Sequence, residues 1–516
     1  MDLVDHRRQR RILSILVVSA ILIWIDSTVL GIALERLADP VHGLGATPNQ
    51  LQWALGIYSL FFATALFAAG ALGDRYGHRT VLMIGMAVFG ASSAWAAWST
   101  GPVSLILARA LMGIGGAMIM PTSMAIIGAT FPPERRAGAI AAWSSSAGVG
   151  VATGPVLGGL LIDHFWWGSV FLINLPLVAA GLVGAALVVP NPRSPQRRRL
   201  DPLGLGLSTL GLLGVAYGLI EGGQRGGWSR WQVWGSIAAG VVLISAFLFS
   251  EWKEKQPSFD PRLFRNRRFA AGNFALAALF LTITGQSLYV TFYLQGARGM
   301  TALHAGLLSL PGALGVVIGA PLGARLARRF SIAAVSGTAL AVFAFCHAMN
   351  LTYVIDTPLI WFCLVGFVAG TAIGAAVAPT SAAIIAALPV DRIGAGSAVN
   401  NAIRQVASVL GVAVLGTILS NVYQHSIAPS LADLPAGVRE NAAGSAEATR
   451  RTAVALGRPE LVHAANDAFI HSMHVAAATA AICAFVGAIV IIVAFRARRS
   501  TAVGEPTTLE PAAVEG

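Results

Sequence analysis

The chain has 516 residues, of which 56% are hydrophobic and only 11% charged, with a mean hydropathy of +0.71. A soluble protein of this size carries about 25% charged residues, so a water-soluble globule is excluded and many membrane spans are required. The net charge of +12 would suggest a nucleic-acid partner in a soluble protein, but here its meaning depends on where the charges sit relative to the spans.

Apolar runs fall at residues 12–34, 49–71, 80–99, 102–122, 137–162, 168–189, 203–221, 232–250, 269–294, 303–324, 332–353, 358–379, 396–421 and 468–495. Each is close to the roughly 20 residues that cross a bilayer. The expectation is an all-α membrane protein with 14 transmembrane helices. The first run, Ile12 to Leu34, holds one charge, Asp26. The arginines before it resemble the start of a secretory signal. The run is too long for one, contains an acid, lacks an A-x-A site and is followed by many spans. A carboxylate at mid-helix costs about 2.5–3.5 kcal/mol on insertion scales. Asp26 therefore reads as a proton- or cation-binding group in a pathway, against the plainer readings of a vestibule acid or a structural ion pair.

The connecting segments alternate in charge. One set carries the arginines: 6–11, 74–79, 134–136, 193–199, 262–268, 325–329, 391–392 and 496–499. The other set is poor in Lys and Arg, apart from Arg225, Arg230, Arg298 and the loop at 426–467. The positive-inside rule puts the rich set and both termini in the cytoplasm, and accounts for the net charge without nucleic acid.

The chain also repeats itself. PTSMAII at 121–127 returns as PTSAAII at 379–385, and PERRAG at 133–138 is echoed by VDRIGA at 390–395. The copies lie in helices 4–5 and 12–13, eight spans apart, which makes the repeat parallel. This predicts an N-terminal six-helix bundle at 1–189 and a linker with a two-helix insert at 190–268. A C-terminal six-helix bundle follows at 269–495, with an outer loop at 426–467, and a cytoplasmic tail at 496–516.

Three motifs carry the chemistry. Between helices 2 and 3, Gly70, Asp74, Arg75, Gly77 and Arg79 fall in a G-x-L-x-D-R-x-G-x-R pattern. Gly70 would let helix 2 approach a neighbour, and Gly77 would permit a turn with positive φ. Asp74 among arginines would dock on a neighbouring helix and be released, as a gate requires. In helix 4, Arg109 is followed by Gly113, Gly115 and Gly116. An arginine within a span needs a partner, and Asp26 lies at a matching depth; the pair is either a protonation switch or purely structural. In helix 5, Gly150, Gly154, Pro155, Gly158 and Gly159 form a small-residue groove with a bend, a packing device rather than a chemical site.

These motifs resemble those of the major facilitator superfamily. The segments LIWIDSTVLGIAL (22–34), QWALGIYSL (52–60), FLINLP (171–176) and FDPRLFRNRRF (259–269) are similar to its fourteen-helix drug:proton antiporters. The resemblance implies two six-helix bundles plus the two-helix insert, alternating access, and export of amphipathic drugs, antibiotics or biocides in exchange for protons. Asp26 matches the family's helix 1 acid and Arg109 its helix 4 arginine. Two departures stand out. Gly56 occupies a helix 2 position where exporters of quaternary ammonium compounds carry an acid. Helix 13 holds Arg404 and Gln405 but no carboxylate. Substrates with two positive charges are thus disfavoured. Arg404 either leaves room for an anionic group or serves backbone carbonyls. Asp26 reads as the sole acid deep in a span, with Glu35 and Glu221 nearer the ends.

Candidate cavity residues are Trp53, Tyr58, Trp143, Gln286, Tyr289, Phe292, Tyr293, Asn400, Asn401, Arg404 and Gln405. His463, Asp467, His471 and His474 read as a polar helix end rather than a metal site. Cys346, Cys363 and Cys483 form no C-x-x-C or paired framework. No phosphate-binding loop, nucleophile elbow or H-E-x-x-H appears, so neither ATP hydrolysis nor a cofactor is expected, and the resemblance implies a proton gradient as the energy source. The expected partners are small amphipathic substrates, protons and membrane lipids, with the chain acting as a monomer in the cell membrane. A transporter of a native lipid or metabolite is the alternative, and a membrane sensor or enzyme a remote one.

Overall fold

The computed structural model describes residues 2–192, 201–224, 227–254, 257, 259–388 and 393–496. The basic segments 193–199 and 391–392, Arg225 and the tail from 497 onward lie outside the described residues. Among the described residues, fourteen helices are long and apolar enough to cross a membrane. They are α1 His6–Ala38, α2 Pro48–Tyr76, α3 His78–Ala97, α4 Pro102–Thr130, α5 Glu134–His164, α6 Ser169–Val188 and α7 Pro202–Gly222. The remainder are α8 Trp231–Lys253, α9 Arg267–Ala297, α10 Ala302–Arg329, α11 Ile332–Thr352, α12 Leu359–Ala386, α13 Gly396–Leu431 and α14 Pro459–Phe495.

The helix ends follow from local chemistry. Proline opens α2, α4 and α7, where a missing N–H costs nothing. Thr47 and Gln50 form a reciprocal capping box on α2, and Asn266 caps α9 by accepting from Arg268 N and Phe269 N. Gly77, at φ +100°, makes the break between α2 and α3 that an L side chain would resist. The last turns of α9, Phe292–Ala297, are wound as a π-helix.

Within the first six helices, α1 packs on α5 and α6, α2 on α4, and α3 on α4 and α6. The last six repeat this pairing shifted by eight: α9 packs on α13 and α14, α10 on α12, and α11 on α12 and α14. The two halves meet along two seams, α2 with α13 and α5 with α10. The insert α7–α8 pairs with itself and touches α2 and α13 through α7.

Small residues set these distances. A Cβ on Gly150, Gly154 or Gly158 of α5 would collide with Trp24, Thr28 or Val29 of α1. With no hydrophobic drive between helices in lipid, such close approach is the main source of packing energy. The next glycine, Gly159, faces Ala302 and Leu303 of α10 instead, so α5 is wedged between α1 and α10.

The arginine-rich loops gather at one end. There His78 N donates to Pro192 O at 3.1 Å, and Gln9 Nε2 donates to Thr130 O at 3.4 Å. At the opposite end the loop from 426 to 458 folds into short helices, Ala436–Ala443 and Ala446–Leu456, and α14 starts at Pro459, earlier than its hydropathy suggests. Arg451 ties this loop to Ala38 O of α1 at 3.0 Å. Beside it Arg458, hydrogen-bonded to Asp433, holds that carboxyl below its usual range.

Candidate functional site

The site forms where α1, α2, α4 and α6 converge. Asp26 is fully buried and Arg109 is 2% exposed, and Arg109 Nη1 donates to Asp26 Oδ2 at 2.5 Å. Asp26 Oδ1 accepts from Asn174 Nδ2 at 3.3 Å. The same Asn174 amide reaches Ser93 Oγ at 2.9 Å, and Ser93 donates to Phe171 O at 2.8 Å. The Arg109 guanidinium lies 4.6 Å from the centre of the Tyr58 ring, and Nε donates to Ala54 O at 3.4 Å. Gly113 and Gly116 let α4 come close enough to α2 for this stacking, since a Cβ on either would strike Tyr58.

Asn174 and Ser93 were not singled out from the sequence. Asn174 sits in the FLINLP segment, where a lone amide in an apolar run was the available signal. A second buried polar group also went unmarked: His347 of α11, 1% exposed, contacts Tyr289 Oη through Nδ1 at 3.4 Å. Asp26 is also not the only deeply buried acid. Glu251, at the end of α8, is 1% exposed and accepts from Phe259 N at 3.1 Å. It lies one residue beyond the predicted span, so hydropathy hid its burial.

The loop motif makes contacts on α3 and on the segment after α6. Asp74 pairs with His78 at 3.4 Å, while Arg79 donates to Val189 O at 3.3 Å and its backbone N–H donates to Asn191 Oδ1 at 3.1 Å. The loop is therefore moored to the segment after α6. Arg75 lies over the Tyr76 ring at 5.4 Å. Gly70 makes no close approach: a Cβ there would meet nothing within 4 Å. The glycine that needs its missing Cβ is Gly73, which faces His78 and Thr122.

Five of the eleven expected cavity residues are buried in this conformation. Tyr58, Trp143, Tyr289, Tyr293 and Asn400 are all buried in packed cores. Tyr58 supports Arg109, and Tyr293 donates to Val354 O at 2.7 Å. Asn400 donates to Asn273 Oδ1 at 3.0 Å, and Trp53 packs into the α2–α13 seam. Tyr58 Oη and Trp143 Nε1 have no hydrogen-bond partner among the described residues. Gln286 lines a small cavity of about 40 Å³ with His347 and Asn350. Asn401 donates to Ser397 O at 3.2 Å, Phe292 packs against the main core, and Gln405 is half-buried. Arg404 stacks on the Phe280 ring at 4.1 Å, which gives its charge a partner other than backbone carbonyls. His474 contacts Tyr353 O at 2.8 Å, and the described residues contain no group of three or more metal-ligating side chains.

Hydrogen bonds that the sequence did not predict join the two halves at the arginine-poor end. Asp163, near the end of α5, accepts from Ala302 N at 3.2 Å and Leu303 N at 3.0 Å, capping α10 across the seam. Thr291 and Gln295 of α9 donate to Gly31 O and Ile32 O of α1 at 2.8 and 2.9 Å. Within α5, between its start and its midpoint, Ser144 and Ser145 are exposed.

The sequence profile of the Major Facilitator Superfamily matches residues 16–412. The methyl viologen resistance protein SmvA of Salmonella typhimurium is 32% identical over 92% of this chain and 95% of its own length. The multidrug efflux pump LfrA of Mycolicibacterium smegmatis is 32% identical over 94% and 96%. Among solved structures, a bacterial homologue of the human lysosomal transporter Spinster, inward-facing and unoccupied, superposes with a TM-score of 0.63 at 17% identity, covering 94% of this chain and 98% of that one. The profile match, the two full-length relatives and the shared helix arrangement agree: this chain belongs to the Major Facilitator Superfamily, as a multi-pass membrane transporter.

Proposed function

We propose that the protein is a proton-coupled exporter of amphipathic compounds, with the arginine-rich end in the cytoplasm. The observation that carries this reading is the Asp26–Arg109 pair, held out of water inside the first half. A charge pair taken from water pays a desolvation cost that hydrophobic residues of the same volume would avoid. A pair retained at that cost suits a group whose charge must change.

Protonating Asp26 releases its hold on Nη1 of Arg109. The guanidinium then keeps the Tyr58 ring and Ala54 O but loses its counter-charge, and the cost of that buried cation favours a change of conformation. Asn174 can stay bonded to the neutral carboxyl through its amide. Asp26 also lies on α1, the helix that meets the glycine face of α5 and the Gly31 and Ile32 carbonyls bound by α9. A change at Asp26 thus reaches both the helix packing and the arginine-poor end directly. One elementary charge crossing a 100 mV potential is worth about 2.3 kcal/mol, enough to drive export against a gradient.

That SmvA and LfrA are named for methyl viologen resistance and multidrug efflux supports export as the direction. The deciding experiment is substrate efflux from proteoliposomes under an imposed pH gradient. Asp26→Asn should insert and fold yet lose gradient-driven efflux; a full wild-type rate in that variant overturns the coupling role.

A further inference from the structure

Two arginines lie deep in spans, Arg109 of α4 and Arg404 of α13. Arg109 has Asp26, whereas Arg404 has no carboxylate: the helices α9 to α13 contain no Asp or Glu. Among the described residues Arg404 makes no hydrogen bond or ion pair, and its cation rests only on the Phe280 ring of α9 at 4.1 Å. The side chain of Gln405 beside it has no hydrogen-bond partner either. An arginine within a span is costly and is kept where it meets a partner or lines a water-filled space. An aromatic face meets part of that need and leaves the five N–H donors unused.

The contacts of α13 show which way these side chains look. Asn400, Gly411 and Leu415 meet α9, while Val409 and Gly416 meet α2. At 3.6 residues per turn these two contact lines lie about 150° apart around the helix. The arc between them holds Asn401, Arg404, Gln405 and Ser408, and Ile403, Val406 and Leu410 turn the other way, toward the insert. Since α2 belongs to the first half and α9 to the last, the arc looks into the space between the halves. Arg404 and Gln405 are half-buried there. Arg404 lies about 12 Å along α13 from Gly396, at the arginine-rich end, whereas the hydrogen bonds from α9 to Gly31 O and Ile32 O join the halves at the other end.

We infer that Arg404 and Gln405 bind the anionic group of a substrate, and that the compounds carried are amphipathic anions or zwitterions: an apolar, flat body bearing a carboxylate, sulfonate or phosphate. A guanidinium presents a planar fork that such a group meets with two parallel N–H bonds. The Gln405 amide can add a further donor, and Phe280 holds the fork flat. A dication such as methyl viologen would meet a like charge at this point. That these anions are exported rests on the function proposed above; that they bind does not.

The test uses the full chain in phosphatidylcholine nanodiscs and two fluorescent probes with one body and opposite heads, pyrenebutyrate and pyrenebutyltrimethylammonium. Binding is read as saturable energy transfer from tryptophan to pyrene, against empty discs. Wild type should hold the carboxylate about tenfold more tightly than the cation. Arg404→Gln should weaken the carboxylate by about tenfold to a hundredfold, the scale of a lost charge-assisted contact, and should melt no lower than wild type, because it loses no hydrogen bond to the protein. Arg404→Lys keeps the charge without the fork, should fall between the two, and serves if the first variant does not fold. Equal carboxylate binding by wild type and Arg404→Gln, or tighter binding of the cation by wild type, overturns the proposal. A lowered melting temperature with both probes lost marks a purely structural arginine and also overturns it. So does native mass spectrometry in which phosphatidylglycerol stays on wild type and leaves Arg404→Gln, since the cation then belongs to a lipid headgroup. Proteoliposomes under a pH gradient should export pyrenebutyrate. Arg404-dependent binding without that efflux removes the export reading alone, and efflux at the wild-type rate in Arg404→Gln removes the anion site alone.

Discussion

Removing either member of the Asp26–Arg109 pair strands the other. With Asp26 fully buried and Arg109 2% exposed, solvent cannot substitute for the lost partner. Breaking a buried pair from one side costs about 3–5 kcal/mol. At about 2.1 cal/mol/K of unfolding entropy per residue, a chain of this length shifts by about 1 °C per kcal/mol. Arg109→Met should therefore lower the melting temperature by about 3–5 °C, and Asp26→Leu should do the same. The double variant replaces the pair with apolar groups of similar volume, and should recover to within about 1 kcal/mol of wild type. It should nevertheless export nothing under a pH gradient. The assay is thermal unfolding of detergent-purified protein followed by tryptophan fluorescence, run beside proteoliposome efflux. Single effects that simply add, to within about 0.5 kcal/mol, would refute the coupling. Recovered efflux in the double variant would refute the charge switch.

Three further outcomes follow from the same geometry. The Tyr58 hydroxyl has no hydrogen-bond partner among the described residues, so Tyr58→Phe should keep efflux and stability. Tyr58→Leu removes the ring face from Arg109, should cost about 1–2 kcal/mol and should reduce efflux. Gly70→Ala should be neutral or stabilising by about 0.5–1 kcal/mol, whereas Gly73→Ala should destabilise; melting curves of the two purified variants separate them. Asp163→Ala removes the cap on α10, worth about 0.5–2 kcal/mol, and should open the arginine-poor end; a cysteine placed at Gly31 should then label faster from that side with an impermeant maleimide.

Much of the fold is written in composition and spacing. The fourteen apolar runs correspond to the fourteen helices, because a bilayer demands long, self-satisfied helices and punishes every exception. The repeated PTS motif announced a repeat eight helices apart, and the helix pairings recur with that shift. Asp26 and Arg109 were legible for the same reason: charges within a span are costly, and two opposite ones at one depth need each other. The face of each aromatic was not legible. Tyr289 and Tyr293 are polar-tipped residues in a transport helix, which suggests a ligand surface. In the structure their hydroxyls lie within hydrogen-bonding reach of other protein groups.

The sequence by itself determined the number of spans, the arginine asymmetry of their loops, the parallel repeat and the two charges that had to meet. All of these follow from local hydropathy and the cost of a buried charge, which need no neighbour to be evaluated. Only the tertiary structure decided that Asn174 and Ser93 complete the Asp26 network, that Asp163 caps a helix of the other half, and that Glu251 is buried against Phe259 N. The first two sets of contacts join residues 81 to 148 positions apart in the Asp26 network and 139 to 140 apart at the arginine-poor end. Such pairings depend on how helices are rotated about their axes, and rotation is set by glycine-scale packing between helices rather than by hydropathy along any one of them.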